Sequence, residues 1–188
     1  MITIRTERPA DVAAREALLD VSYGPSRFTK TSERLRKRRL PAEGLSFVAV
    51  ERGRLVGTVR LWHVAAGTGR AALLLGPLAV HPDWRNRGIG TALVRRAIED
   101  ALRLGHRAVL LVGDAPYYGR FGFSATTTGA LKLPGPWEAE RLLALELTPG
   151  ALDGARGMIR ATGARPPRPA IGALVAGLRQ PVLHPRAA

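Results

Sequence analysis

The feature that most constrains the chain is the stretch 73–104, where an apolar strand-like run, the turn Arg85-Asn86-Arg87-Gly88-Ile89-Gly90 and an amphipathic segment follow without a break. Ile89, Leu93, Val94, Ala97, Ile98, Ala101 and Leu102 recur at intervals of three and four, which predicts a helix over 88–104 with Gly105 as its stop. The first amides of such a helix lack internal partners and carry the positive end of its dipole, so they suit an anion. Glycine at 88 and 90 lets backbone come close to a phosphate, Arg85 and Arg87 offer fork-shaped donors, and Thr91 adds a hydroxyl. The turn therefore predicts a pyrophosphate site. A Walker loop does not fit, because no Gly-Lys-Ser/Thr follows, and a dinucleotide fingerprint lacks its third glycine.

The rest of the chain surrounds this unit with short elements. Ile2-Thr3-Ile4-Arg5 alternates like an edge strand, and Pro9-Ala10-Asp11 opens a helix with proline and an acid in the first turn. A second helix is expected over 31–39, capped by Thr31 or Ser32 and closed by Pro41. Residues 45–51 and 55–64 read as strands joined by a hairpin turn at Arg52-Gly53-Arg54, with a third apolar run over 71–80. Gly76-Pro77 inside that run marks a bulge or splay, since proline lacks a ladder donor. Residues 108–112 form a continuous apolar run typical of a central strand. A short helix containing Tyr117–Phe121 follows, then later strands at Phe123 and 142–147. After Pro149 glycine and proline interrupt every element, so two parts are expected: a domain over 1–148 and an arm over 149–188. Residues 171–178 of the arm are apolar enough to pack on the core or on a second copy in a homodimer.

Composition narrows the chemistry. With 46% hydrophobic residues in 188, the chain can fill a real core. There is no cysteine, which removes disulfides, thiolate metal sites and cysteine nucleophiles, and four scattered histidines give a metal little to bind, so no metal is assigned. No run is apolar enough to span a membrane and the first residues lack a signal-peptide pattern, so a cytoplasmic location without a membrane partner is expected. The net charge of +14 is mostly arginine spread along the chain, which argues against a dedicated nucleic-acid surface. The one dense basic run, Arg34-Leu35-Arg36-Lys37-Arg38-Arg39, reads as the exposed side of a helix.

On these residues the sequence resembles the GNAT superfamily of N-acetyltransferases. The family's motif of Arg or Gln, two residues, Gly, one residue, Gly or Ala is similar to Arg85–Gly90. Leu78-Ala79-Val80-His81-Pro82 looks like its fourth strand, and Tyr117-Tyr118-Gly119-Arg120-Phe121-Gly122-Phe123 like its tyrosine segment. Val112-Gly113-Asp114 is similar to the YhbS-like branch. The resemblance implies an α/β (α+β) acyl-CoA N-acyltransferase fold: a mixed, mostly antiparallel, splayed sheet flanked by helices. It also implies acetyl-CoA as co-substrate, held by Leu78, Ala79, Val80, Arg85, Asn86, Arg87, Gly88, Ile89, Gly90 and Thr91, with the pantetheine arm on backbone near Leu78 and Val80. Direct attack by an acceptor amine on the thioester is the implied reaction, with Tyr118 protonating the leaving thiolate.

The general base is left open by the sequence. The fourth strand offers Leu73-Leu74-Leu75-Gly76 and no acid, so His63, Asp114 or a water stand as candidates, and Asp114 can instead cap the helix after it. The acceptor pocket is expected between residues 23–29 and 133–137. The acceptor is a small-molecule or protein amine. Two other readings stay open: a GNAT-fold module that binds a polyanion or ligand without catalysis, and an acyltransferase with a different donor.

Overall fold

The alternation of side chains along the inner strands explains why the sheet is covered on both faces. In a computed structural model, which describes residues 1–167, the elements are Ile2–Thr6 (β1), Val12–Tyr23 (α1), Thr31–Arg36 (α2), Ser46–Glu51 (β2), Arg54–Ala66 (β3), Arg70–Leu75 (β4) and Ala79–Val80 (β5). They continue as Ile89–Arg103 (α3), Ala108–Val112 (β6), Ala115–Gly119 (α4), Leu131–Lys132 (β7), Leu142–Glu146 (β8), Gly157–Met158 (β9) and Arg160–Ala161 (β10). Leu73 and Leu75 of β4 and Val109 and Leu111 of β6 face one way, into a cluster with Leu93, Val94 and Ala97 of α3. Ala72 and Leu74, and Ala108 and Leu110, face the other way, against Leu35 of α2, Leu152 and Ile159.

The main sheet runs β1-β2-β3-β4-β6-β8, with β5 and β10 also on β3. Every pair in it is antiparallel except β4 with β6. The mixed, mostly antiparallel sheet flanked by helices is the class the resemblance implied. The parallel β4–β6 pair needs a crossover, and α3 supplies it. It can lie close to β3 because residue 57 is glycine: a Cβ there would sit 3.0 Å from both Ile89 Cγ2 and Leu93 Cδ1. That contact fixes the N-terminal turn of α3 against the sheet.

Beyond Thr148 the chain continues into the second cluster, where Ala151, Leu152, Ala155 and Ile159 are buried. β10 pairs with β3 through Arg160–Ala65 and Ala161–Val64. At Gly67 (φ 62°) a Cβ would fall 1.9 Å from the Arg156 carbonyl oxygen, so the turn after β3 and this segment touch backbone to backbone. Residues 171–178 lie outside the described residues.

Four local expectations are corrected. α2 ends at Arg36, not at 39, and Thr31 does not cap it: the Thr31 hydroxyl donates to the Pro136 carbonyl. The basic run is not simply a solvated face, because α2 lies over the open part of the sheet and turns Leu35 and Arg36 inward, to 3% and 8% exposure. Phe123 lies in no strand: only a bridge between Ser124 and Ala144 forms there, and the Phe123 side chain fills the α3-side core.

Candidate active site

The run 71–80 divides where Gly76-Pro77 predicted a break. Pairing between β4 and β6 covers Leu73–Val109 and Leu74–Leu110. Past it, β5 pairs with β3, and β6 runs on beside β8. Gly76 is tied to β3, donating to the Arg60 carbonyl at 2.7 Å and accepting from Trp62 Nε1 at 2.6 Å, so the two branches part there. His81 N–H donates to the Val56 carbonyl on β3. Backbone polar groups alternate along a strand, so those of Leu78 and Val80 face the opening. The Leu78 carbonyl accepts the hydroxyl of Tyr23, a residue whose contact sequence reasoning missed.

One mouth of the opening is the start of α3. Gly88 takes the left-handed conformation (φ 75°), and the first helical bond found there runs from Ala92 N to Gly88 O at 3.0 Å. The amides of Ile89, Gly90 and Thr91 therefore precede that bond and are available to an anion. Arg85, Asn86, Gly88, Ile89, Gly90 and Thr91 line the cleft in front of them. A Cβ on Gly88 would meet no atom within 4 Å, whereas one on Gly90 would lie 2.9 Å from the Tyr117 hydroxyl. Ala79, buried against Leu18 and Leu19 of α1, and Val80 form the adjoining wall with Tyr23 and Leu78. Arg87 points elsewhere: its guanidinium meets Glu51 at 3.3 Å. The Trp84 indole, foremost, and then Arg87 hold that carboxyl below the usual range. Arg120, not foreseen, lines the cleft instead, 4.2 Å over the Tyr117 ring.

The other mouth belongs to Tyr118. Asp114 caps α4 by accepting from Tyr117 N at 3.1 Å. Gly113 makes room for the next turn, since a Cβ there would sit 2.3 Å from Tyr118 Cε2. The Tyr118 ring meets Tyr117 edge to face at 4.9 Å and Phe123 at 5.9 Å, and its hydroxyl makes no hydrogen bond among the described residues. Burial, with Tyr23 and Tyr117 nearby, pushes the phenol well above its ordinary value. Tyr118 thus stays protonated at neutral pH and lines one cleft together with Tyr23, Lys30, Glu33 and Arg36. A neighbouring hollow has Lys30 and Thr31 on one side and Pro136, Trp137 and Arg141 on the other, and of the segments 23–29 and 133–137 it touches Thr29, Pro136 and Trp137.

His63 is not part of this arrangement. Its ring lies 5.4 Å from that of His106, just past the last turn of α3, about 20 Å along that helix from Gly88. Glu33 and Arg36 were missed as cleft residues. Their spacing of three puts them on one helix face, but the run of basic residues around them gave no sign that this face is buried. Among the described residues no group of three or more His, Asp or Glu could hold a metal ion, and no helix is long and apolar enough to cross a membrane.

Comparison with known proteins bears on this geometry. The model of the acetyltransferase (GNAT) family matches residues 13–123. An uncharacterized N-acetyltransferase, YhbS of Escherichia coli K12, is 28% identical over 157 residues, 83% of this chain and 93% of that protein. The crystal structure of Escherichia coli YhbS in complex with CoA superposes with a TM-score of 0.73 at 28% identity, covering 86% of this chain and 89% of that one. A GNAT acetyltransferase of Brucella melitensis, solved in complex with acetyl-CoA, gives a TM-score of 0.65 at 27% identity, with coverage of 86% and 96%.

Proposed function

The chain belongs to the GNAT acetyltransferase family, and from that premise we propose that it transfers the acetyl group of acetyl-CoA to a primary amine by direct attack. The observation that carries this reading is the gap between β5 and β6, with a helix start at one mouth and the Tyr118 hydroxyl at the other. A pyrophosphate against the amides of Ile89, Gly90 and Thr91, with Arg85 and Arg120 beside it, sends the pantetheine arm along Leu78 and Val80 toward Tyr118. The CoA-bound relatives support this choice of donor.

In this reading the amine lone pair attacks the thioester carbonyl carbon. The C–N bond forms as the C–S bond breaks, the nitrogen gives up a proton, and the departing sulfur takes one from Tyr118, which regains it from solvent. A phenol held above its ordinary pKa is protonated at neutral pH, so its hydroxyl hydrogen is in place to bond to the negative charge that develops on sulfur. Tyr118 is the catalytic residue; Asp114, spent on capping, is a positioning residue.

Isothermal titration with acetyl-CoA, free CoA and ATP at near-physiological salt tests the donor. Both coenzymes should bind at least tenfold more tightly than ATP. Failure of both to bind would remove the reading.

A further inference from the structure

The cleft that Tyr118 lines has more positive than negative charge, and its charges are unevenly matched. Arg27 is engaged by Glu16 at 2.6 Å. The single carboxylate, Glu33, is spent on Arg36, whose Nε and Nη2 both lie 3.1 Å from Glu33 Oε2. Arg36 Nη1 bonds nothing among the described residues and sits 3.3 Å from where a Cβ on Gly76 would be, at the point where the sheet parts. Lys30, at the rim, has its Nζ 4.2 Å from the centre of the Tyr23 ring and no carboxylate within 4.0 Å among the described residues. Burial, then Arg36 and Arg141, pull its ammonium below the ordinary value, as expected of a cation with cations around it.

We propose that the acceptor is an amine that carries its own anion, a carboxylate or phosphate a few bonds from the nitrogen, and that Lys30 and Arg36 seat that anion. The proposal rests on the acetyl-transfer reading above. A guanidinium 8% exposed with one free nitrogen, and a lysine with no acid, are groups that an anionic ligand would satisfy. This accounts for a cleft whose one carboxylate is tied up in an ion pair.

The test uses the full chain saturated with CoA and matched probes: β-alanine against β-alaninamide for the carboxylate, phosphoethanolamine against ethanolamine for the phosphate. Calorimetry should show the anionic member of at least one pair binding tenfold or more tightly than its neutral partner, and the pair that discriminates names the anion. Lys30→Gln, at an exposed position, should cut that advantage at least fivefold and Lys30→Arg should restore it, which spares the test from a buried Arg36 variant that fails to fold. Equal binding within both pairs, no binding by any probe, or an advantage untouched by Lys30→Gln overturns the proposal. The CoA titration that precedes each run separates the cases: a protein that does not take up CoA has lost the donor reading, whereas one that does and ignores the anion has lost only this inference.

Discussion

Gly113→Ala tests whether the seat of Tyr118 sets the rate. The added Cβ would lie 2.3 Å from Tyr118 Cε2, 2.7 Å from Cδ2 and 3.0 Å from Leu111 Cδ1. Carbon atoms rest near 3.5 Å, so the ring must retreat by about 1.2 Å. The added carbon cannot move the other way, because Leu111, fully buried, already lies 3.0 Å from it. A shift of about 1 Å in a reacting group costs up to roughly a hundredfold in rate, so turnover should fall by about that factor while CoA affinity, set at the far mouth, stays within about twofold. The assay is release of CoA thiol, read with a thiol reagent; the chain itself has no cysteine to interfere. Tyr118→Phe should lose a comparable factor, roughly 10²-fold to 10⁴-fold for a general acid. Because both changes act through one hydroxyl, Gly113→Ala added to Tyr118→Phe should cost little more. If alanine costs as much in the phenylalanine background as in the wild type, Gly113 acts by some other route and the reasoning fails.

Two further predictions concern the donor turn and acid stability. Gly88→Val puts a β-branched residue at φ 75° and a side chain into the space before the α3 amides, so CoA affinity should drop by at least about tenfold, and Gly88→Asn, which tolerates that conformation, should lose less; equal affinities for all three proteins by calorimetry would remove the pyrophosphate from this turn. Asp11, paired with Arg5 at 2.6 Å, is held down to about 2 chiefly by the Arg5 hydrogen bonds, so its contribution is present above the unfolded carboxyl range and lost as pH falls toward 2. Screening limits this to roughly 1 kcal/mol or less, and the stability gap between wild type and Asp11→Asn in urea should close between about pH 5 and pH 2; a pH-independent gap would contradict the pairing.

Much of this fold was legible because its strongest signals are local. The period of α3, the apolar run of β6 and the break at Gly76-Pro77 each depend on neighbouring residues, and each appears in the structure close to where the sequence placed it. The turn before α3 was legible as a helix start for the same reason, whereas the place of Arg87 was not, because Glu51 lies 36 positions away and no local pattern reports it. The placement of α2 was not legible. Lys30, Glu33 and Arg36 gain meaning only when α2 lies over the opening, a placement fixed by contacts such as Thr31 with Pro136 and Arg34 with Pro134, about a hundred residues apart. A basic run that is solvated on one helix face and buried on another looks the same in sequence.

The 13-residue strand β3 has a consequence for how such an enzyme could change its diet. It pairs along its length with β2, β4, β5 and β10, and so holds both branches of the divided sheet. The aperture is therefore inherited from a single strand whose side chains are mostly locked in the core, and drift at that strand would dissolve the scaffold before it altered the menu. On the acceptor site proposed above, novelty enters through the segments around 23–36 and 133–141, where one exchanged charge would rewrite what is admitted while the machinery for acetyl transfer passes unchanged to descendants.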